Sequence, residues 1–316
     1  MYIGVDIGGT AIKAGIVDES GDIVKKKETA TNVHRGYEAI EKDIIDLISD
    51  LKKEVEEKGN TVKSIGIGIP GIADVNHDIV IYCTNLKWRN VPLGKNLKEH
   101  FNLPVYIEND ATVAGLAEAV KGSTKGYKNS LFLTLGTGVG GSIIINDKIF
   151  NGSHGIGSEI GHMIVGENFY DCNCGNNGCL ETFASATALI KYTKKLIKEG
   201  YKDTIIMDKI DGDLDKLNAK IIFDSAKEGD ELANKSVDRM VKYLSIGIGS
   251  LINIMDPGII AIGGGISKAG EFLLDKIREE VPKYVIFNEV KFADIVIAQL
   301  KNDAGIIGAA MLHNFM

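Results

Sequence analysis

The sequence predicts an α/β protein of two similar lobes, and three observations carry that prediction. The first is length, because 316 residues make about two domains at roughly 150 residues each. The second is a repeat. Residues 2–5 and 12–17 are β-rich apolar runs around Gly8-Gly9-Thr10, followed by a turn at 18–22 and a third run from Ile23. The same order recurs at 131–150, with Leu131–Leu135, a glycine turn at 136–141, Ser142–Ile145, Asn146-Asp147 and Lys148–Phe150, so that Asp6 aligns with Thr134. A duplicated unit implies duplicated lobes, and two glycine-tipped hairpins facing one another would line a cleft suited to a ligand. The third is glycine itself: 37 against 5 prolines, clustered where a backbone turns tightly or approaches something closely.

The elements follow in order. The first three runs read as strand, glycine turn, strand, turn, strand. From about Tyr37 to Lys58 the period becomes helical, with Ile40, Ile44, Leu47, Ile48, Leu51 and Val55 on one face and Gly59 closing the helix. Ser64–Ile69 is a strand ending at Pro70-Gly71, and His77 lies in a turn-like stretch. Pro104–Glu108 is another strand, after which Asn109-Asp110 opens an alanine-rich helix over 111–120, a junction where Asx residues also suit a plain N-cap. The second half continues with a cysteine-rich loop at 171–179 and mostly helical segments to Met255. A strand at 259–262 then runs into Gly263-Gly264-Gly265. A helix over about 270–281, a strand at 295–298 and a final helix from about Ala304 complete the chain.

Composition removes several function classes. The formal net charge of −7 argues against a dedicated nucleic-acid binder, which needs a basic patch. Hydrophobic residues at 44% and charged residues at 25% are those of an ordinary globular protein. No apolar run reaches the roughly 18 residues of a membrane span, and the N-terminus has no basic-then-apolar secretory pattern. Four cysteines in a chain of this size cannot form a disulfide scaffold. A cytoplasmic enzyme is the expected class.

The motifs divide into misleading and informative. Residues 66–71 and 136–141 both fit G-x-G-x-x-G, but neither leads from a strand into a helix, so neither is a dinucleotide fingerprint. No P-loop pattern occurs. Backbone N–H groups at the hairpin tips can still bind phosphate oxygens as an anion nest, the alternative being turns and nothing more. Cys172, Cys174 and Cys179 stand close together in a glycine-rich loop, and His162 lies ten positions before Cys172. Three thiolates and an imidazole fill a tetrahedral Zn²⁺ shell with no open position, hence a structural site; buried free thiols are the alternative, and Cys83 is read as one. Glu108, Glu159 and Glu181 lie beside these polar loops, although carboxylates are usually solvated.

Taken together these residues resemble the ROK family of sugar kinases, within it the bacterial ATP-dependent glucokinases. The resemblance spans nearly the whole chain. It rests on DIGGT at 6–10, IPG at 69–71, NL at 85–86, END at 108–110, LGTGVGG at 135–141, EIGH at 159–162, CNCGNNGCLET at 172–182 and IGGGIS at 262–267. DIGGT also occurs in other actin-like kinases, whereas the cysteine-rich element with its preceding histidine is specific to the family. Family repressors carry an N-terminal winged helix, for which a DIGGT beginning at residue 6 leaves no expected room.

The resemblance implies a two-lobed actin/hexokinase-like, ribonuclease H-like ATPase fold. Its small lobe would comprise 1–118 with 303–316, and its large lobe 119–302. It implies phosphorylation of a hexose at the 6-hydroxyl, glucose above all; the alternatives are an N-acetylmannosamine, fructose, allose or β-glucoside kinase, or a sugar-sensing regulator without turnover. Asp110 would be the general base. Gly71, Asn85, Asn109, Asp110, Glu159, His162 and Glu181 would hold the sugar. Asp6, Gly8, Gly9, Thr10, Thr137, Gly138 and Gly264 would serve ATP, with Asp6 holding Mg²⁺ through water and Gly264 against the adenosine. His162, Cys172, Cys174 and Cys179 would bind structural Zn²⁺, His162 also reaching the sugar through its second ring nitrogen. Bulk at Gly138 is accordingly expected to affect ATP and not sugar. Partners would be hexose and ATP, without nucleic acid or membrane, in a homodimer or homotetramer.

Overall fold

The β-rich runs at the N-terminus form a meander. In the computed structural model, which describes residues 1–201 and 203–315, β1 (Tyr2–Ile7), β2 (Ala11–Val17) and β3 (Ile23–Ala30) pair antiparallel in sequence order. Helix α1 (Tyr37–Glu57) follows, and the six aliphatic residues of its predicted inner face are all buried. Each contributes about 1.5–3 kcal/mol relative to exposure to water. Gly59, left-handed at φ 74°, lies just beyond its end. β4 (Ser64–Ile69) then runs parallel to β1.

A small antiparallel sheet comes next, made of β5 (Gly71–Ala73), β6 (Val80–Cys83) and β7 (Trp88–Val91), and then α2 (Leu93–Phe101). None of these four elements is predicted by the sequence pattern, because strands of three or four residues and a helix of nine are too short to establish a period. β8 (Val105–Asn109) lies parallel to β4 and leads straight into α3 (Asp110–Lys121).

The meander then recurs as β9 (Ser130–Leu135), β10 (Val139–Ile145) and β11 (Lys148–Ile149). Five helices follow: α4 (Glu181–Ala184), α5 (Ala186–Lys198), α6 (Ile205–Lys209), α7 (Ala219–Lys227) and α8 (Glu231–Met255). The chain closes with β12 (Ile259–Gly263), α9 (Glu271–Glu280), β13 (Asp294–Ile297) and α10 (Ala304–Met311). The two large sheets have the orders β3-β2-β1-β4-β8 and β11-β10-β9-β12-β13. The repeat read from sequence is therefore a repeat of topology: a meander whose first strand is extended by two later strands.

Two compact units result. One contains Met1–Phe132, Ser142–Ser158 and Gln299–Met316, the other Leu133–Gly141 and Glu159–Ala298. Residues 142–158 thus fall in the first unit, away from the 118/119 division expected from sequence. The cause is packing, since Ile144 and Ile149 join Val113, Leu116, Ala309 and Leu312 in one apolar cluster. Within that unit α10 lies directly on the first sheet. A Cβ on Gly4 would stand 2.0 Å from the Ile306 carbonyl oxygen, and one on Gly66 1.7 Å from that of Ala309. Gly66 is therefore a packing glycine, which removes the G-x-G-x-x-G at 66–71 from further consideration. Among the described residues, no helix is long and apolar enough to cross a membrane.

Candidate active site

In the first unit the candidate residues converge because three parallel strands are in register. Asp6 pairs with Gly68, Gly68 with Glu108 and Ile69 with Asn109, so the carboxyl ends of β1, β4 and β8 lie side by side. That edge is where open α/β sheets bind ligands. Asn109 caps α3, its Oδ1 accepting from the N–H groups of Ala111 at 2.9 Å and Thr112 at 3.3 Å. Its Nδ2 donates to the Gly71 carbonyl at 3.2 Å. Asp110 stands in the first turn of α3, with the Ala111 N–H donating to its Oδ1 at 2.8 Å. Gly71 pairs with Cys83 across β5 and β6, and a Cβ there would meet the Tyr82 carbonyl at 2.2 Å. Asn85 is exposed on the β6–β7 turn, beside the turn at Gly8–Thr10; a Cβ on Gly9 would lie 3.8 Å from its own.

Asp6 ends this group at the start of α10, where a Cβ on Gly305 would stand 2.6 Å from its carboxylate. Burial raises its pKa above the ordinary value, against the opposing pull of Lys13, its cross-strand neighbour. Glu108 is also pushed up by burial. Its Oε1 accepts the Asn109 N–H at 2.8 Å, and its Oε2 accepts from Asn151. Sequence reasoning did not single out Asn151, and no local pattern marks it. Cys83 is a buried free thiol, as expected.

In the second unit the β9–β10 turn is held from below by α5. The Ala186 N–H donates to the Gly136 carbonyl at 2.8 Å, and the Thr187 hydroxyl to that of Thr137 at 2.8 Å. Gly264, left-handed at φ 82°, brings the end of β12 against β9, where a Cβ would lie 2.5 Å from the Leu135 carbonyl oxygen. Glu181, the first residue of α4, accepts the Val139 N–H on Oε2 at 3.0 Å. A Cβ on Gly138 would stand 2.3 Å from that same oxygen. Gly138 is therefore packed against Glu181, a contact that the phosphate-only expectation for Gly138 omits.

The cysteine-rich loop folds as two short pairings. Ile164 bridges to Cys179 and Asp171 to Asn177, and Gly178, at φ 90°, lies so close to Gly166 that a Cβ would be 1.8 Å from its carbonyl oxygen. This brings His162, Cys172, Cys174 and Cys179 together, with all four ligand atoms within 4.8 Å of one another. Cys174 Sγ is 3.5 Å from Cys179 Sγ, and Cys172 Sγ is 3.7 Å from His162 Nδ1. A tetrahedral zinc with ordinary bond lengths needs edges of about 3.6–3.8 Å, so the four residues fit the metal. Burial pushes Cys172 upward and Cys179 up to about 12, whereas the Asn176 N–H draws Cys174 down to about 7. Cys172 also lies 3.9 Å from Glu181 Oε1, which couples the cluster to that carboxylate. Glu159 immediately precedes the 3-10 turn that carries His162, and both side chains are exposed.

Residues 2–315 match the ROK family. The glucokinase of Halalkalibacterium halodurans is 38% identical over 315 residues, covering 98% of this chain and 94% of that protein. The glucokinase of Thermotoga maritima is 40% identical over 313 residues, covering 98% and 96%. Among solved structures, a ROK family glucokinase from Streptomyces griseus in complex with glucose and AMPPNP superposes with a TM-score of 0.79 at 35% identity, covering 98% of each chain.

Proposed function

The chain belongs to the ROK family, with its two-lobed actin-like kinase fold, and catalyses the ATP-dependent phosphorylation of glucose; we propose that Asp110 takes the proton of the attacking 6-hydroxyl. The observation that carries this role is the register of β1, β4 and β8, which sets Asp6, Glu108 and Asn109 at one sheet edge, with Gly71 opening β5 just past the end of β4 and Asp110 opening α3 directly after β8. Phosphoryl transfer passes through a loose transition state in which positioning and charge neutralisation dominate. A carboxylate positioned to accept the proton is therefore sufficient.

Gly71, Asn85, Asn109, Glu159, His162 and Glu181 hold the sugar in this reading. Asn109 has committed its oxygen to the α3 cap and one amide hydrogen to Gly71, which leaves it one donor for a hydroxyl. His162 faces the thiolates with Nδ1, so Nε2 remains for glucose. Polar groups of this kind, left unpaired, penalise the wrong epimer strongly. The turns at Gly8-Gly9-Thr10 and Thr137-Gly138 serve the phosphates and Gly264 the adenosine.

Three neighbouring glycines support the nucleotide assignment. Gly9, Gly136 and Gly265 are absent from the positive-φ residues, and a Cβ on any of them would meet nothing closer than 3.8 Å. The fold does not demand glycine there, and close approach by a ligand does.

Mg²⁺, when bound, neutralises charge on the ATP phosphates, and Asp6, half-buried near the end of β1, is the residue to hold it through water. Zinc, when bound by His162, Cys172, Cys174 and Cys179, fixes the ring of His162 and the loop that leads into Glu181. The enzyme works in the cytoplasm, as a homodimer or homotetramer. A coupled assay of ADP release against a panel of hexoses tests the reading: glucose should be preferred, and Asp110→Ala should be inactive on every sugar. A chain that binds glucose but releases no ADP is a regulator, and the proposal then fails.

A further inference from the structure

Arg239, on the helix α8, is a half-buried cation without a counter-charge. Among the described residues no carboxylate forms an ion pair with it, and the titratable groups around it are the tyrosines Tyr192, Tyr243 and Tyr170. Its guanidinium lies over the rings of Phe169, Phe183, Tyr192 and Tyr243, at 5.8, 4.7, 4.3 and 5.3 Å from their centroids. Removing a guanidinium from water is expensive unless its charge is met elsewhere, and stacked aromatic faces are one way to meet it.

The cage leads to the functional loop through one hydrogen bond. Arg239 Nη2 donates to Asn168 Oδ1 at 2.8 Å. Asn168 in turn donates from Nδ2 to the carbonyl of Thr182 at 2.7 Å. Its backbone N–H donates to Asn177 Oδ1 at 2.8 Å, and its carbonyl accepts from Asn177 Nδ2 at 3.0 Å. The same asparagine thus ties Asn177 of the cysteine-rich loop to the residue after Glu181. Phe183 completes the connection, since it belongs to α4 and stacks on Tyr243 at 3.8 Å. Helix α4 has four residues and no side-chain cap, so its direction depends on such neighbours.

We propose that Arg239 is a positioning residue for glucose: through Asn168 and Phe183 it fixes the orientation of α4, and with it the carboxylate of Glu181. The inference rests on the reading of Glu181 as a sugar ligand. Arginine suits the task because a planar cation can stack on rings and donate in its own plane at once.

The test uses the intact enzyme in four forms: wild type, Arg239→Met, Arg239→Lys and Asn168→Ala. Methionine keeps an apolar stem in the cage and removes the donor. Arg239→Met should raise the glucose KM about tenfold or more, the worth of a hydrogen bond to a charged group, with kcat and the ATP KM unchanged within about twofold. Arg239→Lys should recover part of the loss, and Asn168→Ala should reproduce it. Amide hydrogen exchange on the substrate-free protein should accelerate in 163–184 in Arg239→Met and not elsewhere. An unaltered glucose KM overturns the proposal, as does a parallel rise in both KM values. If Arg239→Met does not fold, Asn168→Ala decides by the same criteria. Glu181→Gln, assayed alongside, separates the two readings. If it leaves the glucose KM unchanged, the sugar role of Glu181 falls, and unaccelerated exchange in 163–184 overturns the Arg239 link independently.

Discussion

Replacing Gly138 by alanine distinguishes two accounts of the second hairpin. If the residue only cradles phosphate, added bulk touches ATP alone. In the structure a Cβ at Gly138 lies 2.3 Å from Glu181 Oε2 and 3.2 Å from Cδ. Non-bonded carbon contacts are comfortable at about 3.5 Å, so the carboxylate has to withdraw by about 1 Å. That displacement opens its bond with the Val139 N–H, now 3.0 Å, to about 4 Å, beyond hydrogen-bond range. A hydrogen bond to a charged group is worth about 1.5–3 kcal/mol, which corresponds to roughly ten- to hundredfold in affinity. Gly138→Ala should therefore raise the glucose KM by that factor, besides any effect on ATP. Gly136→Ala is the control, because no atom lies within 4 Å of its Cβ; it should raise the ATP KM and leave glucose alone. Steady-state kinetics with each substrate varied in turn reads both. A Gly138→Ala enzyme with wild-type glucose KM and a raised ATP KM would refute the steric argument.

Three further expectations follow from the same residues. Asp110→Ala should lower kcat by about 10²–10⁴ while calorimetry still detects glucose binding; near-normal turnover removes the residue from its role. Cys174→Ala should abolish zinc binding, lower thermal stability and weaken glucose binding without rescue by Mg²⁺. Elemental analysis is expected to find about one zinc per chain in the wild type and none in the variant, and a fully active wild type free of zinc would end the metal assignment. Asp6→Asn should lose activity yet be at least as stable as wild type at pH 7. Burial raises the folded pKa of Asp6, so the folded chain keeps that proton to a higher pH than the unfolded one. Ionisation then costs stability as pH rises from the ordinary carboxylate range through the folded pKa, and the asparagine lacks that cost. The stability difference should shrink at pH 4, and an Asp6→Asn protein less stable at pH 7 contradicts the account.

The fold was legible where the chain is periodic. Ile40 through Val55 mark α1 by one apolar stripe, and the strand at 64–69 matches its predicted bounds. The meander repeat was legible too, because Gly8-Gly9-Thr10 and Gly136-Thr137-Gly138 punctuate identical strand orders. What stayed hidden has physical causes. β5, β6 and β7 pair with one another along the chain, but strands of three or four residues are too short to establish a period. The return of 142–158 to the first unit depends on Ile144 and Ile149 meeting α3 and α10, residues that any buried strand could carry. The cysteine cluster was the opposite case, since its chemistry restricts which residues can occupy it. Arg239 and Asn168 gave no signal at all, because a lone arginine on a long helix usually reaches water.

Glycine illustrates why a site is harder to read than a fold. The sequence shows a glycine-rich protein without distinguishing the demands behind each residue. Gly4 and Gly66 are required by α10, whose backbone occupies the space a side chain would need. Gly264 is required by its left-handed conformation and by Leu135 together. Gly138 abuts only the flexible end of the Glu181 side chain, which can withdraw where a backbone cannot. Gly9, Gly136 and Gly265 have none of these reasons, with ordinary φ and open space around the missing Cβ. Glycine in such a position costs conformational entropy in the folded chain, about 0.5–1 kcal/mol relative to alanine inside a regular element, and nothing within the protein recovers it. The compensation has to come from outside, through a ligand that the bare backbone can approach. Alanine at these three positions should therefore leave the folded protein as stable as before or slightly more so, and reduce only what it binds. Alanine at Gly4, Gly66 or Gly264 should destabilise it, which thermal unfolding of the six variants can test.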